Sequence, residues 1–278
     1  MICFPNAKIN LGLQIVSRRQ DGYHNLETIF YPIELKEGLE ITSASKSDEL
    51  NTQNKFRLFT YGDKITGLAE NNLVVKALNL VTQEKEIPAI DIHLLKRIPS
   101  GAGLGGGSSD AAFMLKLLNE SFELGYSIDD LMIKASKIGA DCPFFLYNKP
   151  LLATGVGDQF EAVDVNLKGY YLMLVKPDLS VNTKEAYSMI VPKQPEHSLK
   201  DIIQRPFAEW NELMINDFET PIFKKYPEIC NIKNQLLEMG ALYASMSGSG
   251  SSLYGIFKNK PDSKGMFKNY FVWCDKLN

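Results

Sequence analysis

Apolar and polar residues alternate cleanly over residues 7–16. Ile9, Leu11, Leu13 and Ile15 fall on one face, and Lys8, Asn10, Gly12 and Gln14 on the other. A period of two predicts a half-buried strand. Asp21-Gly22 then reads as a turn, and residues 26–35 and 56–61 as further strands. Asn71 or Asn72 can cap a helix whose apolar positions are Leu73, Val74, Ala77, Leu78 and Val81. Ile90, Ile92 and Leu94 alternate again, in a strand that ends at Pro99. After a Gly-rich segment, a helix turns Ala111, Leu115, Leu118 and Phe122 inward. Ser127 with Asp130 predicts a capping box for the next helix, with Ile128, Leu131, Ala135 and Ile138 inward and Gly139 at its end.

The pattern restarts beyond residue 150. Tyr170–Val175 is a nearly continuous apolar strand, and 191–206 is polar and Pro-containing. Ile229, Ile232, Leu236 and Met239 form a helix face closed by Gly240. Strands near 242–246 and 252–257 flank a second Gly/Ser loop, and 270–274 reads as a last strand. Runs of strands with helices between them, without strict βαβ alternation, predict an α+β fold. No internal repeat or low-complexity segment is visible.

Composition sharpens this picture only slightly. The chain has 278 residues, 45% of them apolar and 23% charged, enough for a substantial core. Single cores stop growing near ~250 residues, so two domains are expected. The net charge of -3 is spread over mixed acids and bases, which argues against a nucleic-acid partner. Cys3, Cys142, Cys230 and Cys274 are scattered, as are His24, His93 and His197, so no zinc site is expected and free thiols in a reducing compartment are. There is no basic-then-apolar leader and no apolar run of about 18 residues. The expectation is a cytoplasmic protein without a membrane partner.

The chemistry concentrates in Pro99, Ser100, Gly101, Ala102, Gly103, Leu104, Gly105, Gly106, Gly107, Ser108 and Ser109. Glycines remove each Cβ that would keep a phosphate from the backbone, and they permit positive φ, so N–H groups can converge on an anion. The segment opens a helix, whose N-terminus attracts negative charge. Ser108 and Ser109 can offer hydroxyls to phosphate or a metal ion. A flexible linker is the plainer reading, but linkers are not framed by a patterned strand and helix. A Walker A loop needs Gly-Lys, and the chain has none. Gly101, Gly103 and Gly106 satisfy GxGxxG, but Ser127-Ile-Asp-Asp stands where a dinucleotide fold needs a second strand ending in an acid. The companion motifs of protein kinases are absent. What is left is a phosphate loop of another kind.

Three short motifs in order, Pro5–Leu11, Pro99–Ala112 and Met246–Ser252, resemble those of the galactokinase, homoserine kinase, mevalonate kinase and phosphomevalonate kinase superfamily, the GHMP kinases. Asp21–Thr28, Gly105–Ala112 and Gly139–Phe145 narrow the resemblance to its branch acting on a cytidine-tagged sugar alcohol. It covers nearly the whole chain, with 191–230 the least distinctive part.

The resemblance implies a two-domain α+β architecture: an N-terminal ribosomal-protein-S5-domain-2-like domain (1–152) that binds ATP, and a C-terminal ferredoxin-like domain (153–278), with the active site between them. It implies ATP in a syn-type pocket beside the second motif. The reaction would be phosphorylation of the 2-hydroxyl of 4-(cytidine 5'-diphospho)-2-C-methyl-D-erythritol, in the non-mevalonate route to isoprenoids. Mg2+ would be held by phosphates, waters and Ser108, with no protein-made metal cage and no obligate protein partner.

By the same resemblance, Lys8 stabilises charge beside the acceptor hydroxyl, Asn10 binds substrate and Asp141 is the base. Tyr23 and Tyr187 stack on cytosine and His24 bonds its edge. Thr183 lines the methylerythritol pocket, Gly248, Ser249 and Gly250 meet the diphosphate or transferred phosphoryl, and Asn72 and Lys96 meet adenosine. Most have a plainer alternative. Lys8 and Asn10 can be a solvated strand face, Asp141 and Asn72 helix caps, and Tyr23-His24 an exposed edge. Gly248–Gly250 can be a hairpin loop and Lys96 a solvated cation. A mevalonate or homoserine kinase, a ligand sensor on the same fold and a dinucleotide oxidoreductase remain competing functions.

Overall fold

The computed structural model describes residues 1–44, 56–65 and 67–277. In chain order its strands are β1 (Ile2–Cys3), β2 (Asn6–Arg18), β3 (His24–Lys36), β4 (Gly38–Ser43), β5 (Phe56–Gly62), β6 (Ile90–Lys96), β7 (Leu151–Thr154), β8 (Gln159–Ala162), β9 (Tyr171–Lys176), β10 (Tyr243–Met246), β11 (Leu253–Phe257) and β12 (Phe271–Lys276). The helices are α1 (Leu73–Thr82), α2 (Gly106–Ser121), α3 (Ile128–Ile138), α4 (Cys142–Tyr147), α5 (Thr183–Ser188), α6 (Leu199–Ile202), α7 (Phe207–Leu213), α8 (Glu219–Lys225) and α9 (Pro227–Glu238).

The chain forms two compact units, and neither is contiguous. The first comprises Met1–Ala7, Leu35–Ser100 and Gly105–Asn148, and the second Lys8–Glu34, Gly101–Leu104 and Lys149–Asn278. Each mixes strands and helices, so the α+β expectation holds.

The first unit is built on a sheet of order β1-β4-β6-β5, antiparallel except for the β5/β6 pair. Leu39, Ile41, Ile90, Ile92 and Leu94 supply its buried residues. α2 packs on β4 and β1 and against α1, α3 and α4. Asn72 caps α1 by accepting the Val74 N–H. Ser127 and Asp130 make the full capping box of α3. Ile128 departs from expectation: it is 48% exposed, because it occupies the first helical position, while Lys134 takes an inward place.

The second unit holds two sheets, β2-β3-β7-β8 and β10-β11-β9-β12. Numbering the latter's strands along the chain gives the antiparallel order two-three-one-four of a ferredoxin-like sheet. Turns over 264–269 replace a helix before its last strand. α9 buries Ile229, Ile232 and Leu236 against Met173, Val175, Ala244 and Leu253 in one apolar cluster. The stretch 191–206 is less featureless than its polarity suggests, since it carries α6 with Leu199 and Ile202 buried.

β2 is the main correction to the periodicity. Residues Asn6 through Ile15 are buried on both faces, not one. Gly12 makes room for Leu199, whose Cδ2 would lie 2.6 Å from a Cβ there. The polar side chains Lys8 and Asn10 are buried because the protein supplies their hydrogen bonds internally.

Candidate active site

In the second unit the first and third motifs meet the tip of the Gly-rich segment. Lys8 is 3% exposed; its ammonium donates to Asn10 Oδ1 at 2.6 Å and to the Gly103 carbonyl at 3.0 Å, and it lies over the Phe30 ring. Asn10 donates to Thr28 Oγ1 at 2.9 Å, and Tyr254 OH donates to the Asn10 carbonyl. Ser247 Oγ donates to the Gly103 carbonyl at 2.8 Å and accepts from the Asn10 N–H. Gly103 has φ +74, and a Cβ there would stand 2.0 Å from the Ser247 carbonyl oxygen. Only glycine gives both that backbone angle and that approach. The solvated-face alternative for Lys8 and Asn10 is thereby overturned.

The acceptor candidates gather in the same unit. The His24 ring lies flat on Tyr187 at 5.2 Å, and Tyr187 meets Phe218 edge-on. Tyr23 is 67% exposed on a turn shaped by Asp21, whose carboxylate accepts the Tyr23 N–H. That hydrogen bond holds the exposed Asp21 carboxyl below its usual range. Thr183 and Ser249 join through their hydroxyls at 3.1 Å. Gly248 and Gly250 are buried with positive φ, so in that loop Ser249 presents the side chain.

The first unit holds Pro99, Ser100 and Gly105–Ser109. Gly105, at φ 72, is the N-cap of α2 and makes no side-chain cap, and α2 already includes Gly106, Gly107, Ser108 and Ser109. The first N–H groups of a helix have no partner within it, and a long helix adds its dipole. This end of α2 is therefore suited to an anion. Ser109 departs from expectation: it is fully buried and its hydroxyl has no partner. Ser108 hydrogen-bonds the Cys142 thiol, which burial pushes up to about 11. That contact holds the start of α4, where Asp141 is the N-cap, beside the start of α2. The Asp141 carboxylate makes no capping bond to α4. At the other end of α4, Asn148 donates to Asn6 Oδ1 at 2.8 Å.

Lys96 is neither solvated nor turned outward. It is 5% exposed, and its ammonium bonds Glu37 Oε2 at 2.5 Å and Asp110 Oδ2 at 2.7 Å. Glu37 Oε1 accepts the Ile98 N–H, so one carboxylate ties the end of β6 to the approach of the loop. Burial opposes the Lys96 charge, but the two carboxylates outweigh it and raise the group. Asp110 is raised well above the carboxylate range, by burial first and then by Glu37, against the pull of Lys96. Its Oδ1 has no partner. Asn72 Oδ1 is engaged by its capping bond. Sequence reading missed Glu37, Asp110, Thr28, Ser247 and Tyr254 as the groups that hold the candidates in place. Asp110, Thr28 and Ser247 lie inside the recognised stretches, but Glu37 and Tyr254 carry no local signal.

Among the described residues no group of three or more His, Cys, Asp or Glu side chains is placed to hold a metal, and no helix is long and apolar enough to cross a membrane.

The family model for the GHMP kinases N terminal domain matches residues 72–149, and that for the GHMP kinases C terminal matches 198–268. The chain belongs to the GHMP kinase family. It is 54% identical over 280 residues, all of both chains, to a Parabacteroides distasonis protein named 4-diphosphocytidyl-2-C-methyl-D-erythritol kinase. A Bacteroides fragilis protein of that name is 56% identical over 264 residues, 95% of this chain and 94% of its own. A crystal structure of 4-(cytidine 5'-diphospho)-2C-methyl-D-erythritol kinase superposes with TM-score 0.82 at 29% identity, covering 99% of this chain and 98% of that one. Homoserine kinase from Cytophaga hutchinsonii, at TM-score 0.68 and 18% identity over 100% of this chain and 95% of its own, shares the fold.

Two substitutions test the buried charges. Lys96→Met leaves two carboxylates side by side and is expected to cost about 3–5 kcal/mol in urea denaturation. Asp110→Asn, which removes a carboxyl that burial disfavours in its charged form, is expected to leave the protein at least as stable as the parent at neutral pH. A carboxyl raised in the fold contributes stability that is complete below its unfolded value of about 4 and is lost as pH rises through its folded value. Asp110→Asn should therefore flatten the decline of stability above pH ~4, measured as melting temperature against pH. Gly103→Ala, which needs both a strained φ and a displaced Ser247 carbonyl, should lower the melting temperature and cost roughly 1–3 kcal/mol.

Proposed function

We propose that this chain transfers the γ-phosphoryl group of ATP to the 2-hydroxyl of 4-(cytidine 5'-diphospho)-2-C-methyl-D-erythritol, giving the 2-phosphate and ADP. The observation that carries the reading is the aromatic arrangement of the second unit. His24 lies flat on Tyr187, beside an exposed Tyr23 in the next position of the chain. A pyrimidine ring needs two such features, a flat apolar face and an in-plane hydrogen-bonding group. The names of the full-length relatives support the same acceptor.

In this reading Tyr23 takes a face of cytosine and His24 its edge, while Tyr187, whose ring His24 already covers, holds the imidazole in place of stacking on the base. Thr183 meets the methylerythritol chain, and Asn10, Gly248, Ser249 and Gly250 meet the acceptor's polar end. The N-terminus of α2, from Gly105 to Ser108, receives the ATP phosphates. Lys8, a desolvated ammonium, stabilises charge that develops on the transferred group, and Asp141 accepts the hydroxyl proton. Phosphoryl transfer asks little more of a protein than alignment, charge stabilisation and this acceptor. Mg2+, held by the phosphates, waters and Ser108, would neutralise β/γ charge. Ser109 and Lys96 serve by packing and buried pairing in place of direct contacts to ATP, and Asn72, whose Oδ1 caps α1, keeps its amide nitrogen for adenosine. We also infer a cytoplasmic enzyme, supported by four free thiols, Cys3, Cys142, Cys230 and Cys274.

The test is ADP release by the purified protein with the cytidyl acceptor, mevalonate and homoserine in parallel. Turnover is expected only with the cytidyl acceptor; turnover with either of the others alone overturns the reading. Lys8→Ala and Asp141→Asn should each lower kcat by about 10²- to 10⁴-fold. Tyr23→Ala should raise the acceptor KM by about 5- to 100-fold, the value of one base stack, with the ATP KM unchanged.

A further inference from the structure

The loop between β10 and β11 carries Gly248, Ser249 and Gly250, and its own hydrogen bonds account for only part of its shape. Its glycines have φ +57 and +91, conformations with many alternatives. Of its internal hydrogen bonds, Gly250 N–H donates to the Ser247 carbonyl at 3.0 Å and Ser247 N–H to the Ser252 carbonyl at 2.9 Å. Outside the loop, Ser251 Oγ donates to the Leu179 carbonyl at 2.5 Å, Ser252 N–H to the Ala102 carbonyl at 3.3 Å, and the Ser249 hydroxyl meets Thr183. The bonds to the carbonyls on each side of Ser247 come from Asn216-Asp217-Phe218-Glu219, far away in sequence but in the same unit.

Asn216 is 2% exposed. Its amide nitrogen donates to the Met246 carbonyl and to the Gly248 carbonyl, both at 2.8 Å. Its Oδ1 accepts the Phe218 N–H at 3.0 Å, which fixes which way the amide faces. Both of its donors are thus spent on carbonyls two residues apart, one on each side of Ser247. Glu219, 8% exposed, holds the strand just before the loop: its Oε1 accepts from Ser245 Oγ at 2.9 Å and from the Met246 N–H at 2.8 Å. Asp217 Oδ2 accepts the Ile15 N–H at 2.6 Å, anchoring the same segment to β2. The same loop region meets Asn10 and Gly103 through the Ser247 hydroxyl.

We propose that Asn216, backed by Glu219, is a positioning residue for the phosphoryl-acceptor end of the reaction, setting where the Ser247–Gly250 backbone stands. This rests on the reading that the loop contacts the acceptor's diphosphate or the transferred phosphoryl. The reason is chemical. Replacing a buried amide that bridges two carbonyls takes its donor from the Gly248 carbonyl and leaves the Met246 carbonyl only a long contact from Ser245 Oγ at 3.5 Å, so the loop must move to find other partners. A displacement near 1 Å at a phosphate contact is enough to cost about 10²-fold in rate.

Asn216→Asp is nearly isosteric but points an acceptor at two carbonyl oxygens. It is expected to lower kcat/KM for the cytidyl acceptor about 100-fold, with the KM for ATP within about twofold of the parent. A protonated carboxyl regains one donor, so the variant-to-parent ratio should rise as pH falls from about 8 to about 6. Asn216→Ala, which removes the donors without adding charge, carries the same expectation at any pH and serves where Asn216→Asp does not fold. Both are measured on protein shown to be folded by circular dichroism at the assay temperature.

Hydrogen exchange separates the two layers of the argument. In the parent protein, the acceptor should slow exchange of the amides of 247–251; in the Asn216 variants this protection should be lost. If the acceptor gives no protection in the parent, the reading of the loop fails. If the parent is protected but a folded Asn216 variant keeps both its protection and its acceptor kcat/KM, the positioning role fails. A parallel fall of the ATP and acceptor constants, tracking only the loss of melting temperature, also overturns it.

Discussion

The ammonium of a lysine that is 3% exposed is the constraint from which the second unit can be read. Lys8 pays a desolvation cost that only well-placed acceptors offset. Asn10 Oδ1 and the Gly103 carbonyl provide them, and each is then restrained in turn. Asn10 is held by Thr28 and Tyr254, and the Gly103 carbonyl is shared with Ser247. Close approach at Gly103 leaves no space for a Cβ. A chain of polar contacts fixed by one buried charge thus orders a strand, a glycine and a serine loop that are distant in sequence. Preorganisation of this kind is what charge stabilisation in a transition state requires, since groups already oriented need not reorganise during the reaction.

The first unit meets a similar problem with a different solution. Lys96 pairs with two carboxylates, so its charge is outnumbered, and Asp110 is pushed toward its neutral form. Such a triad is poor evidence of stability, because desolvation consumes most of the attraction. Its geometric effect is clearer. Glu37 fixes the Ile98 N–H just before Pro99, and Asp110 sits one turn into α2. The two flanks of the Gly-rich segment that belong to this unit are therefore tied to one ammonium. Where backbone N–H groups bind an anion, restraint at the flanks matters more than restraint in the glycines, which have none of their own to give.

What was legible in the sequence follows from how local its cause is. Capping of α1 by Asn72 and of α3 by Ser127 and Asp130, the turn at Asp21-Gly22, and the strands on each side of the second Gly/Ser loop depend on neighbours within a few residues, and all are present. The face of β2 was misjudged because alternation reports polarity, not exposure. Lys8 and Asn10 are polar and buried, and only partners such as Thr28 and Gly103 reveal it. Lys96 was legible as a charge but not as a buried one, since Glu37 lies 59 positions away. The exchange of Lys8–Glu34 and Gly101–Leu104 into the second unit is likewise something that one boundary along the chain cannot express.

The least distinctive stretch of sequence holds some of the most constrained side chains, and the reason is general. A glycine-rich loop advertises its role by composition, because its backbone must be bare to approach a phosphate. The same bareness leaves it unable to choose among its own conformations, so the choice must be imposed by hydrogen bonds from outside. Single buried Asn and Glu residues can contribute much of that, as the bonds of Asn216 and Glu219 to Met246 and Gly248 illustrate. They need no periodicity and no motif, only a distant carbonyl or N–H at the right place. The loops that bind and the residues that hold them therefore differ in visibility for a physical reason: the first are specified by what they lack, and the second by a partner the sequence does not display.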